Sequence, residues 1–371
     1  MTANFSQFIS ETIDLNTHIM WFEKSNKYIV VNDLLNNLIL NRINSEKFPI
    51  NASLLKKNKI NSEKLKPISD NIKNLLEECN QDYDKINPEQ SLSIADEYIH
   101  QSKFKFNRRV VKIEYSDERL KSLIDPKFNH LKCNDREEII YKVVERNEKI
   151  NLFKNKKFLG SWGNEKMHEF QGKVSMELTS FFHGMSDSDW TAVFHGSTLF
   201  RGNNCLMLTG DSGSGKSSLS AILMANDFAL IADDFSPMDD KGIHYNFPSA
   251  ISIKEGFYSE AKKLYKSFSE LNEYYINDIK GNVKYLADKT DKPILKSNCN
   301  TILNVKFGGA LKNEIKSINK GKALEKILPD AWISKNIKDA MAFITWVKSS
   351  MFYDLTYNNN DEAIKIINKI L

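Results

Sequence analysis

The sequence predicts an α/β protein: a core built on a mixed sheet, preceded by a small α+β N-terminal domain. Three observations carry this. A compact apolar run, "CLMLT", leads into a glycine-rich loop and a helical stretch, and a second apolar run, "FALIA", returns at once. Strand-like and helix-like segments mix from about residue 91 to 185, and strands dominate from Asp187 onward. At the N-terminus, "MWFEKSNKYIVV" reads as a hairpin followed by the amphipathic helix "DLLNNLILNRI".

At 371 residues the chain is long enough for two or three domains. Residues 1–90 form the first block. Its hairpin turns at Lys24–Asn26, Asn32 is placed to cap the following helix, and Leu34, Leu35, Leu38 and Leu40 recur at helical spacing. The polar stretch "CNQDYDKINPEQS", with Pro88, is the candidate linker. Residues 91–185 mix strand and helix: "RRVVKIEYS" is strand-like, "KINLFKNKKFLGSWG" reads as a second hairpin, and "EKMHEFQGKVSMELTSFFHG" as a helix closed by Gly184. From 186 to 371 strands dominate at first. "WTAVFHGSTLF" and "NCLMLTG" are joined by the turn "RGNN".

Composition narrows the classes. Hydrophobic residues at 41% and aromatics at 11% suffice for a packed core. The 52 basic and 48 acidic residues nearly cancel, leaving +4, which argues against a nucleic-acid or membrane-surface partner. No apolar run is long enough to span a bilayer, and no signal peptide is visible. Cys79, Cys133, Cys205 and Cys299 are scattered and form no CxxC pair. The expectation is a cytoplasmic chain, with self-association left open. The seven histidines show no HxxxH or HExxH spacing, and no GxSxG elbow occurs.

Gly210, Gly215, Lys216 and Ser217 match G-x-x-x-x-G-K-[ST] (Walker A). In such a loop successive backbone N–H groups form a nest for phosphate oxygens, and the following helix points its positive end at them. The loop lysine sets a charge near the β- and γ-phosphates, and the hydroxyl of the next residue faces Mg²⁺. The flanking strand and helix are the context that the motif needs. Asp233 and Asp234 follow Lys216 by 17 and 18 residues. One helix and one return strand fill that gap, so the carboxylates fall beside the loop, as Mg²⁺ ligand, general base or both. Either could instead serve as a turn residue or helix cap. His195 ends or interrupts an apolar strand 15 residues before Gly210. A lone histidine near a strand is more often a satisfied core or surface residue than part of a site.

The run "HGSTLFRGNNCLMLTGDSGSGKSSLSAILMANDFALIADDF", about 40 residues, resembles the catalytic domain of HPr kinase/phosphorylase and the related serine kinases. The resemblance implies a P-loop fold related to phosphoenolpyruvate carboxykinase, with transfer of phosphate from ATP, with Mg²⁺, to a serine hydroxyl. It implies roles residue by residue. Gly210, Asp211, Ser212, Gly213, Ser214, Gly215, Lys216, Ser217 and Ser218 would form the nucleotide-binding loop, cradling the phosphates. Ser217 and Asp234 would bind Mg²⁺, Asp233 would be the base, and His195 would sit against it. The assignment of base and ligand between Asp233 and Asp234 stays open. Lys254, in "FPSAISIKEG", would steady the γ-phosphate or the acceptor. Ser218 stands where HPr kinases commonly carry Glu, and their downstream "ELRGLG" segment is absent. The resemblance therefore points to a kinase with a peptide, protein or small-molecule acceptor rather than HPr itself. The hairpin and helix of "WFEKSNKYIVVNDLLNNLIL" resemble those of small PqqD-type peptide-binding domains. The alternative, a nucleotide-dependent switch with no acceptor of its own, stays open, because such loops serve switches equally well.

Overall fold

The computed structural model describes residues 7–44, 62–82, 98–277, 281–290 and 292–371. Three antiparallel strands open the chain: β1 (Phe8–Asp14), β2 (Thr17–Phe22) and β3 (Lys27–Asn32). The expected hairpin is β2–β3, turning through Asn26 at φ 53°, a left-handed conformation that asparagine tolerates. Strand β1 was not expected. Its acidic Glu11 and Asp14 and a bulge between Thr12 and Asp14 blur its alternation. Asn32 caps α1 (Asp33–Asn44), its side-chain oxygen accepting from the Leu35 N–H at 2.9 Å. Helix α2 (Ser62–Cys79) lays Ile72, Leu76 and Cys79 on Met20 and Phe22. Residues 83–91 of the expected linker lie outside the described residues.

A five-stranded sheet follows, in the order β4 (His100–Phe106), β5 (Arg109–Tyr115), β6 (Ile139–Arg146), β7 (Lys149–Lys154) and β8 (Lys157–Gly163). Only β5 and β6 pair in parallel here, and α3 (Glu118–Phe128) makes the crossover. Asp117 caps α3 through the Leu120 N–H at 2.9 Å. The second expected hairpin is β7–β8. Helix α4 (Met167–His183) stops at Gly184, whose N–H turns back onto the Phe181 and Ser180 carbonyls.

The remaining strands are β9 (Trp190–Phe194), β10 (Ser197–Arg201), β11 (Asn204–Thr209), β12 (Ala229–Ala232), β13 (Ser236–Asp239), β14 (Ile243–Tyr245), β15 (Ile251–Lys254), β16 (Glu273–Asn277), β17 (Gly281–Leu286), β18 (Lys296–Asn298), β19 (Thr301–Phe307), β20 (Glu314–Ser317), β21 (Ala331–Ile333) and β22 (Met351–Tyr357). Among them run α5 (Lys216–Met224), α6 (Tyr258–Leu264), α7 (Lys320–Ile327), α8 (Ile337–Ser349) and α9 (Asn360–Asn368). The six-stranded sheet β12-β10-β11-β19-β22-β20 is mixed: β11, β19 and β22 are parallel, and β10, β12 and β20 run against their neighbours. A second sheet is ordered β18-β14-β13-β9-β21, and a third β15-β17-β16. The architecture is mixed α/β.

The apolar run "WTAVFHGSTLF" reads as one strand in the sequence, and the structure corrects this. The chain leaves the second sheet at Phe194 and enters the six-stranded sheet at Ser197. Gly196 makes the crossing: a Cβ there would lie 2.7 Å from the Leu208 carbonyl oxygen. Apolar pattern reports burial but not which of two sheets buries a residue.

The sheets share aromatic cores. Phe194 lies 4.9 Å from the Trp346 ring, tying β9 to α8. Phe128, at the end of α3, meets Phe247 edge-on at 5.7 Å, and Phe247 meets Phe235 at 5.0 Å. This ladder joins the middle sheet to the segment that follows β12. Among the described residues no helix is long and apolar enough to cross a membrane. Phe247 is 3% exposed. Phe247→Ala is expected to lower the unfolding free energy by about 3–5 kcal/mol, read from urea denaturation.

Candidate functional site

Strand register brings three chain segments to one sheet end. Ser197 pairs with Leu208, and Thr198 pairs with Ala232. The start of β10 therefore meets the ends of β11 and β12. Beyond those ends lie the glycine-rich loop and Asp233.

The loop is wedged against the neighbouring parallel strand. The Phe307 N–H donates to the Ser214 carbonyl at 2.9 Å, at the end of β19. Gly215 has φ 101°, and a Cβ there would lie 3.0 Å from the Phe307 Cβ. Only glycine meets both demands without strain. Helix α5 starts immediately after it, with Leu219, Ile222 and Leu223 buried against the sheet. The Ser214 hydroxyl is buried and has no hydrogen-bond partner within the protein. A buried polar atom left unpaired is costly, and water or another group could satisfy it.

Lys216 is 6% exposed. Its ammonium donates to the Gly210 carbonyl at 2.6 Å and the Asp211 carbonyl at 3.2 Å. Burial pulls its pKa below the usual lysine value, against the opposing pull of Asp234, Asp233, Asp330 and Asp211. The loop thus holds a desolvated positive group whose partners are carbonyls that it can leave.

Asp233 is 2% exposed and accepts a hydrogen bond at Oδ1 from the Ser197 hydroxyl. Burial, reinforced by the charge of Asp234, pushes its pKa up to about 7. The Ser197 hydrogen bond and the charges of Lys127 and Lys216 hold it from rising further. Asp234 adopts φ 61°, and this kink turns the chain out of β12. Its charge also bears on Tyr285 of β17, whose pKa is raised to about 12 mainly by burial.

The structure brings together the loop, from Gly210 to Ser218, with Asp233 and Asp234. His195 is exposed in the turn between β9 and β10, and the hydroxyl on Asp233 is that of Ser197. Lys254 lies exposed at the end of β15, opposite Val283, and the lysines that bear on Asp233 are Lys127 and Lys216. Sequence reasoning missed Ser197, Lys127, Asp330 and Tyr285. Ser197 was within reach, two residues after His195 in the quoted run. Lys127 was not: it lies 106 residues before Asp233 at the end of α3, and tertiary docking alone delivers it. The Lys127 carbonyl accepts the Ala250 N–H at 2.8 Å, and Phe247 bonds through its N–H to Ile231 of β12 at 2.9 Å.

The residues fit Mg²⁺ as a nucleotide-borne ion. Among the described residues no group of three or more His, Cys, Asp or Glu could cage a metal. Mg²⁺ needs no cage, because it takes one or two protein oxygens, phosphate oxygens and water. Ser217 at the start of α5 and Asp234 are oxygens of that kind.

No family model matches the chain, and no curated protein matches it. Among solved structures, the Hpr(Ser) kinase/phosphatase from Coxiella burnetii is similar over 48% of this chain and 95% of its own, at 12% identity and a TM-score of 0.24. A superposition that loose carries no argument about fold or function.

Gly215→Ala is expected to lower the unfolding free energy by about 1–3 kcal/mol, because the added methyl meets Phe307 in a left-handed backbone conformation, and urea denaturation reads this.

Proposed function

We propose that this chain is a phosphotransferase that moves the γ-phosphoryl group of ATP to a hydroxyl, that of a serine in a peptide, protein or small molecule. The feature that carries the reading is a buried carboxylate, its acidity weakened by burial and by the neighbouring Asp234, beside a glycine-rich phosphate loop. A carboxylate of ordinary acidity is a feeble base toward a hydroxyl, and a pKa near the working pH is what general-base transfer favours.

Each residue has a task. The loop amides and the Ser214 hydroxyl bind phosphate oxygens. Lys216 exchanges the Gly210 and Asp211 carbonyls for β- and γ-phosphate oxygens. Ser197 fixes Asp233 Oδ1, which leaves Oδ2 to take the proton of the acceptor hydroxyl. As that proton moves, the acceptor oxygen bonds to the γ-phosphorus, and the bond from γ-phosphorus to the bridging oxygen breaks. Its electron pair stays on ADP. Mg²⁺, held by Ser217 and Asp234 when bound, would neutralise charge on the phosphates. Asp233 serves as base in this arrangement because it is the more buried of the pair.

Lys216→Ala is expected to abolish transfer. Asp233→Asn is expected to bind ATP with wild-type affinity and to lose about 10²–10⁴ in kcat/KM. Labelled ATP separates this from a nucleotide switch, since a switch passes label to water alone. A second expectation concerns pH. Asp233 must be ionised to accept the proton, so kcat/KM rises with pH through a midpoint near 7. Lys127→Met removes a charge that favours the ionised form, and the midpoint moves to higher pH. A pH profile of both proteins checks the direction.

A further inference from the structure

Three parallel strands end side by side at the glycine-rich loop. Thr209, last in β11, pairs with Asn304 of β19. Strand β19 runs three residues further, to Phe307, which pairs with Tyr357 at the end of β22. The chain leaves β11 and β19 in opposite directions. From β11 it crosses through α5 to β12 on one side of the sheet, and from β19 it goes on to β20 and β22 on the other. In an open α/β sheet the crevice at the carboxyl ends of two such strands is where ligands bind. The loop forms one side of that crevice, and Phe307 forms the other.

An aromatic ring is open to solvent there. Leu303, Val305 and Phe307 share one face of β19 by alternation. Leu303 and Val305 are buried in one cluster with Leu219 and Leu223 of α5. Phe307 carries the stripe past that core and is 51% exposed. The ring is fixed nonetheless. It packs on the buried Tyr357 ring, with centroids 5.1 Å apart and planes at 56°. Its backbone N–H is held by the Ser214 carbonyl at 2.9 Å. The next two residues, Gly308 and Gly309, bring no side chain to cover it, and a Cβ on Gly309 would meet nothing within 4 Å.

A single exposed apolar side chain is ordinary on a protein surface. This one stands directly against the residues that would hold the phosphates of a nucleotide: Ser214 through the hydrogen bond, and Gly215, where a Cβ would lie 3.0 Å from the Phe307 Cβ. In a nucleotide only a ribose separates the innermost phosphate from a flat aromatic base. A base is therefore the group that a nucleotide on this loop brings to the ring.

We infer that Phe307 is the platform on which the base of the bound nucleotide stacks, with the ring braced from behind by Tyr357. The inference rests on the nucleotide-binding part of the phosphotransfer reading. Every base has a π face, and stacking on an aromatic side chain tolerates any of them. The ring reads no hydrogen-bonding edge, so Phe307 itself adds affinity for the base without separating adenine from guanine.

The test uses the full chain with Mg²⁺ and compares ATP with inorganic tripolyphosphate, which carries the phosphates but no base, by calorimetric titration. The wild type is expected to bind ATP about tenfold or more tightly than tripolyphosphate. Phe307→Ala keeps the backbone N–H on Ser214. It is expected to weaken ATP binding about tenfold and to leave tripolyphosphate binding within about twofold of the wild type. Phe307→Trp is expected to keep ATP affinity, and its added indole fluorescence should be quenched by ATP but not by tripolyphosphate. Equal binding of the two ligands to the wild type, unchanged ATP affinity in Phe307→Ala, or an equal loss of both ligands in that variant overturns the platform while leaving the phosphate loop. Binding of neither ligand to the wild type overturns the nucleotide reading, and the platform with it.

Discussion

Asp233 is the residue on which the rest of the site depends. A carboxylate 2% exposed at the end of a strand resists ionisation, because little water remains to solvate its charge. A second carboxylate follows it in sequence and opposes ionisation further. One hydroxyl and two lysines keep it from becoming a permanently neutral acid. The balance raises its proton affinity above that of an ordinary aspartate. The neighbouring loop holds the buried ammonium of Lys216, whose pKa burial lowers.

The fold maintains this balance from several directions. Gly196 lets β10 start against the carbonyl of Leu208, and that start sets Ser197 on Asp233. Strand β19 holds the loop through Phe307. The aromatic ladder Phe128–Phe247–Phe235 docks the end of α3 beside β12, carrying Lys127 with it. The middle region is thus more than a spacer, since Lys127 of its helix α3 bears on the carboxylate of the C-terminal region. The N-terminal sheet packs on the same region, Asn26 donating a hydrogen bond to the Ile333 carbonyl of β21.

Local chemistry was legible in the sequence, and long-range placement was not. The loop, helix α5 and the two aspartates are contiguous, so spacing alone put them side by side. The β2–β3 and β7–β8 hairpins and the Asn32 cap declared themselves through turn residues and alternation. The break at His195–Gly196 was hidden, because both flanking strands are buried and read as one apolar run. Lys127 carries no local signal of function: it is one lysine in a stretch of mixed charge, and its place beside Asp233 comes from the docking of α3. Lys254 stood out for its neighbours in sequence, yet the sheet leaves it exposed at a strand end. Ser197 was passed over in favour of the adjacent histidine, the chemically louder residue.

The central claim is that Asp233 exchanges its proton near neutral pH. A ¹³C NMR titration of the aspartate side-chain carboxyls, with the Asp233 resonance assigned by its loss in Asp233→Asn, measures this directly. The account predicts a midpoint near 7 in the nucleotide-free protein. A midpoint near 4, the ordinary value for an exposed aspartate, would contradict it.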